Sequence, residues 1–134
     1  MASIRKEISI DARADDVWAA IHDVAAVHQR LAPGFVTDTR MDGEAARVVT
    51  FANGLVVREL IVDVDDARRR LAYAAVGGRS THHNASLQVF DEGEHTRLVW
   101  IADVLPHEVA PAIAEMMDRA RVMRRALERC TVRG

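Results

Sequence analysis

Apolar and polar side chains alternate from Ser3 to Ile10, the two-residue period of a strand with one buried face. Asp11 ends that pattern. From Ala14 the spacing lengthens, and Val17, Trp18, Ile21 and Val24 recur as one apolar face of a helix. Asp15 and Asp16 stand in its first turn, where the helix dipole favours carboxylates. Val24 to Leu31 reads as a second short helical piece, stopped by Pro33-Gly34. Six strand segments follow, at Phe35–Met41, Ala46–Ala52, Leu55–Val64, Arg70–Val76, Ser80–Phe90 and Thr96–Val104. The turn signals between them are Asp42-Gly43, Asn53-Gly54, Asp65-Asp66, Gly77-Gly78 and Glu92-Gly93, short enough to make sequence neighbours antiparallel. Pro106 suits a first helical turn, and the chain then reads as helix to about Cys130, with Pro111 near its start. Val109, Ile113, Met116, Ala120, Met123 and Leu127 form a continuous apolar stripe along it, which must cover the sheet. The predicted class is α+β: about seven antiparallel strands wrapped around a long C-terminal helix, with two short helices after the first strand.

Composition narrows what such a fold can do. With 134 residues and 49% hydrophobic content, the chain suits a single domain with a sizeable core. Its formal net charge is -2, and its basic residues are interleaved with acids, so no broad field for nucleic acid is expected. Cys130 is the only cysteine; an internal disulfide and a thiolate zinc site are excluded, and a lone thiol fits a reducing cytoplasm. Met1 to Ile10 lacks the apolar core of a secretory signal, and no apolar run is long enough to span a membrane. The expectation is a soluble cytoplasmic protein.

Strand parity sorts the candidate chemistry. If Glu92-Gly93 closes a hairpin, Ala85, Leu87 and Val89 share a face with Leu98, Trp100 and Ala102, and that face also holds His83. The opposite face carries His82, Asn84, Ser86 and Asp103, together with Val99 and Ile101. Only one of the adjacent histidines can therefore line an interior. His83 is assigned that place, either as a proton donor or acceptor or as a histidine satisfied by backbone or water. Glu59 sits among Val56, Val57, Leu60 and Ile61. Apolar walls would push its pKa upward and suit it to acid or base work, whereas an ion pair with Arg58 or an arginine on a neighbouring strand would make it structural. Asp103 is expected to organise the Leu105-Pro106 turn. His82, Asn84 and Asp103 have no metal-ligand spacing, so no metal is expected. Arg124, Arg125 and Arg129 around Cys130 suit a helix C-terminus. Tyr73 and Trp100 offer broad contact area with one polar tip each, and Met116, Met117 and Met123 adapt to irregular apolar guests.

Several local strings, taken in order, resemble the helix-grip superfamily, which includes START-type lipid-transfer domains, birch-pollen allergen-like proteins, polyketide cyclase-like proteins and the plant abscisic-acid receptors. They are Ala14-Asp15-Asp16-Val17-Trp18, Arg58-Glu59-Leu60 ahead of Asp65-Asp66, Arg69-Arg70-Leu71-Ala72-Tyr73 ahead of Gly77-Gly78, and Trp100 ahead of Asp103-Val104-Leu105-Pro106. The resemblance spans nearly the whole chain and implies a cavity between sheet and long helix. It implies that Glu59, Tyr73 and Ala75 line that cavity and that Ala85, Leu87, Leu98 and Trp100 point inward, opposite Ile113, Met116, Met117, Ala120 and Met123 of the helix. The tight turn at Asn53-Gly54 departs from the receptors' longer gating loop, so a hormone-gated switch is not expected. One fold hosts many chemistries, and three functions follow. The first is binding of a small, mostly apolar ligand, lipid or polyketide-like, without a cofactor. The second is a cyclase- or dehydratase-like enzyme using Glu59 and His83 for proton transfer. The third is a partner-binding module or homodimer that uses the outer sheet face around Val99 and Ile101.

Overall fold

The computed structural model describes residues 2–77, 80–118 and 120–133, with side chains at all of these except 120 and 130–133. Strand β1 (Ala2–Ile10) leads into helix α1 (Ala14–His22) and a short π-helical turn (Val27–Leu31). Six strands follow: β2 (Val36–Met41), β3 (Ala46–Phe51), β4 (Val56–Asp65), β5 (Arg70–Val76), β6 (His82–Asp91) and β7 (Thr96–Leu105). A 3-10 turn (His107–Val109), α2 (Ala110–Met117) and α3 (Ala120–Arg133) complete the chain.

All seven strands form one antiparallel sheet in the order β1-β7-β6-β5-β4-β3-β2. Each hairpin brings sequence neighbours together, and β1 returns to close against β7. The register of β6 on β7 pairs Ala85 with Ala102, Leu87 with Trp100 and Val89 with Leu98, the shared face that parity predicts. These side chains are buried, as are Thr96 and Val104 on the same face. Thr96 keeps its hydroxyl satisfied by donating to the Ala12 carbonyl at 2.6 Å, which pins the β1–α1 connection to the sheet. A bulge at Val62 interrupts the β4–β5 ladder.

The C-terminal helix differs from the expected continuous rod. It is two segments, because α2 stops at Asp118, whose N–H reaches the carbonyls of both Ala114 and Met116 and so tightens the last turn. The Asp118 side chain is fixed to Lys6 of β1 at 2.5 Å. Helix α3 then presents Met123, Ala126 and Leu127 to the core, the three-and-four spacing of a buried stripe. It packs against α1, β1 and the π-helical turn, while α2 packs on β1. Each fully buried side chain of the Leu127 kind contributes about 1.5–3 kcal/mol. Among the described residues no helix is long and apolar enough to cross a membrane.

The outer face also departs from expectation. Val99 is buried and Ile101 half-buried, so they form no exposed apolar patch; among the described residues, the large apolar side chains left exposed are Leu55, Val56, Val62, Val64 and Val76. Asp103 accepts from the Ser3 hydroxyl at 2.5 Å. It therefore fastens edge strand β1 to β7 rather than organising the turn at Leu105-Pro106. Gly78, part of one predicted turn, lies outside the described residues.

Candidate functional site

Between the concave face of the sheet and the helices lies a cavity of about 530 Å3. Its walls come from every layer: Val27 and Leu31 of the π-helical turn, Val49 and Val57 of β3 and β4, and Ile113 and Met116 of α2. Exposed residues at its margin, Ala52, Asn53, Leu55, Gly77, Ala112 and Glu115, form the mouth. Phe35 and Phe51, edge to face at 5.3 Å between ring centres, also line it.

Four polar lining groups that interact with one another stand on β3, β4, β5 and β7. Cross-strand register sets Arg47 of β3, Glu59 of β4 and Ala75 of β5 in one row, and all three line the cavity. Arg47 Nε donates to Glu59 Oε1 at 2.8 Å, with side chains only 4% and 11% exposed. Arg47 Nη1 donates to the Val24 carbonyl at 3.0 Å, tying the α1 connection to the sheet. Its guanidinium carbon also lies 5.4 Å from the centre of the Tyr73 ring. Trp100 Nε1 in turn donates to the Tyr73 hydroxyl at 3.2 Å. Ala75, the smallest member of the row, leaves space beside the carboxylate.

Burial pushes the Tyr73 phenol well above its usual range, and the Glu59 charge adds to that, against smaller opposing effects of Arg47 and of the Trp100 hydrogen bond. The phenol thus keeps its proton at neutral pH. Since it already accepts from Trp100, it is a donor toward the cavity. His83 lies on the wall, half-buried; burial, assisted by His82, lowers its pKa from the ordinary value of 6.5. It is an uncharged imidazole at neutral pH, able to accept a proton.

Tyr73, Ala75, Leu87 and Trp100 of the sheet line the cavity, as do Glu59 and His83. From the helices Ile113, Met116 and Met123 do so too. Leu98 and Met117 do not: both are fully buried core. Nor does Ala85, buried in the row between Tyr73 and Ala102. The side chain of Ala120 lies outside the described residues. Of the two readings of Glu59, the structure has the ion pair with an arginine on a neighbouring strand, Arg47 of β3, and the pair is buried rather than at the surface. Sequence reasoning allows for such an arginine but does not identify it as Arg47 or place it on the cavity wall. Among the described residues, no group of three or more His, Cys, Asp or Glu side chains could hold a metal ion.

A sheet curled over C-terminal helices, with an apolar cavity between them and a polar cluster on one wall, defines the helix-grip class. The chain belongs to the family described as "Polyketide cyclase / dehydrase and lipid transport", which matches residues 1–133. Solved structures share the fold. A Thermobifida fusca protein is 26% identical, with a TM-score of 0.79 and coverage of 99% of this chain and 95% of that one. An uncharacterized Bacillus thuringiensis protein is 16% identical, with a TM-score of 0.82 over 98% and 99% of the two chains. Norcoclaurine synthase from Thalictrum flavum, in complex with a transition-state analogue, is 21% identical, with a TM-score of 0.71 over 98% and 94%. No curated protein matches the sequence.

Proposed function

We propose that this protein binds a small, mostly apolar molecule, lipid or polyketide-like, in the cavity between sheet and C-terminal helices. The observation that carries this reading is a cavity of about 530 Å3 with mostly apolar walls and a small polar cluster. Cavities of about 300–1,000 Å3 with that character enclose drug-sized ligands. Tyr73 and Glu59 supply the orienting hydrogen bonds, Trp100 and the methionines the contact area. The cytoplasm is the proposed compartment, a reading supported by the single cysteine.

Native mass spectrometry of gently purified protein tests this, followed by mass analysis of what denaturation releases. The expected result is a stoichiometric small molecule. A panel of sterols, fatty alcohols and aromatic polyketides should then raise Tm, since a ligand at roughly 100 times its Kd stabilises by about 2.7 kcal/mol. Ala75→Leu, which fills the space beside Glu59, should abolish the shift and leave the fold intact. An empty protein that no compound stabilises would reject the reading.

A second reading, enzymatic, is favoured by one observation: a buried carboxylate and an uncharged imidazole line the same cavity. The family description names cyclases and dehydrases. In such a reaction His83 would take a proton from carbon next to a carbonyl. Tyr73 would donate a hydrogen bond to the oxygen that becomes negative, with Glu59 fixing the orientation. Turnover lost in His83→Gln, with binding retained, is the expected result; unchanged turnover in His83→Gln and in Glu59→Gln would confine the protein to binding.

A further inference from the structure

We propose that the cavity selects ligands of zero charge whose polar end is a hydroxyl or enol, and rejects carboxylates and ammonium groups. The inference rests on the ligand-binding reading above and names the ligand class of that same site.

Charge and hydrogen-bonding capacity of the lining set this preference. Among the described residues, the ionisable ones on the walls are Arg47, Glu59, Tyr73, His83 and, at the mouth, Glu115. Arg47 and Glu59 face each other at 2.8 Å and cancel. Tyr73 and His83 are uncharged at neutral pH. Arg47 gives Nε to Glu59 and Nη1 to the Val24 carbonyl, and its single positive charge is already balanced by Glu59. An entering carboxylate could reach only the remaining N–H groups of Arg47 and would set two carboxylates on one guanidinium charge, and an ammonium would have to win Glu59 from Arg47. Buried charge without a free counter-charge is strongly disfavoured. Glu115 at the exposed mouth adds a second negative group against anions.

The hydrogen-bonding groups fit a neutral guest. Trp100 Nε1 occupies one acceptor site of the Tyr73 oxygen, so the phenol offers its proton. Glu59 Oε1 is taken by Arg47, and among the described residues nothing is hydrogen-bonded to Oε2, which can only accept. The complementary group must therefore accept from Tyr73 and donate to Glu59. One hydroxyl does both; a carboxylate cannot donate, and an ammonium cannot accept. Ala75, next to Glu59 in the row, gives room for the ring or chain that carries the hydroxyl.

Isothermal titration calorimetry of the wild-type protein at neutral pH with four probes of one ring size tests this: naphthalene, 2-naphthol, 2-naphthoate and 2-naphthylmethylammonium. The expected order places 2-naphthol at least about tenfold tighter than either charged probe. Glu59→Gln, which leaves Arg47 without its partner, should invert the order of 2-naphthol and 2-naphthoate, an outcome that a merely structural carboxylate would not produce. If that variant fails to fold by circular dichroism, the wild-type order alone decides. Binding of 2-naphthoate as tight as 2-naphthol in the wild type would overturn the selectivity while leaving the cavity reading intact. Failure of all four probes, naphthalene included, would overturn both.

Discussion

Two arginines of this molecule meet carboxylates with nearly the same geometry and different consequences. Arg97 lies across β1 and the β6–β7 turn, its Nη1 2.8 Å from Glu7 and its Nε 2.7 Å from Glu92, and its side chain is 35% exposed. Arg47 meets Glu59 at 2.8 Å with both side chains almost fully enclosed. At the surface, water already solvates each charge, so the Arg97 network tunes the edge of the sheet and adds little stability. In the cavity wall neither charge has an alternative partner of opposite sign among the described residues, and removing either leaves a buried ion. Distance alone does not tell which pair matters; enclosure does. The buried pair also shapes the site, because it furnishes an oriented acceptor without giving the cavity a net charge.

The largest expected effect is therefore at the wall. Glu59→Gln or Arg47→Met should each lose about 3–5 kcal/mol in urea unfolding, whereas the double replacement Arg47→Met with Glu59→Met should recover most of the loss. Single losses as small as those at Arg97 would break the comparison. Next comes Tyr73→Phe, which leaves the Trp100 indole N–H without its acceptor and should cost about 1–3 kcal/mol.

His83 gives a smaller, pH-dependent effect. Its folded pKa is lowered below 6.5, so the unfolded chain takes up this proton first. The contribution is fully present above pH 6.5, and it is lost as pH falls through the folded value. Chemical denaturation at a series of pH values should show a shallower acid loss in His83→Gln. Arg97→Gln should have the smallest effect, vanishing near 1 M salt, where the screening length is about 3 Å. The same network holds the Glu7 carboxyl below its ordinary 4.5 through hydrogen bonds from Arg5 and then Arg97. Its contribution is thus present above pH 4.5 and lost on acidification below it.

Much of the architecture was legible because strand alternation and turn residues act locally. Seven strands, the order of elements and the shared face of β6 and β7 follow from period and parity. The break at Asp118 did not, because the stripe from Val109 to Leu127 reads as one helix whether or not it bends. In the candidate site, the same alternation that puts Glu59 and Tyr73 on one face also holds for Arg47, Val49 and Phe51. Which neighbouring-strand arginine meets Glu59 depends on register. Read as a two-residue turn, Asn53-Gly54 sets Arg47 opposite Leu60 and on the wrong face. The actual loop has three residues, with Phe51 N–H bonded to the Leu55 carbonyl and Gly54 at φ 89°, and Arg47 falls opposite Glu59. One residue in a turn decides which side of the sheet a charge occupies. The separation of Leu98 and Met117 from the cavity was likewise not readable, since core and cavity lining share one composition.

The two tryptophans supply the most direct test of the central claim, that the ligand occupies this cavity beside its polar cluster. Trp100 donates to Tyr73 on the wall, whereas the Trp18 indole donates to Asp66 at 3.0 Å and does not line the cavity. Their indole N–H resonances should be followed by NMR during titration with 2-naphthol. The account predicts a saturable shift of the Trp100 resonance with Trp18 unmoved; a Trp100 signal that stays still while the probe binds elsewhere would contradict it.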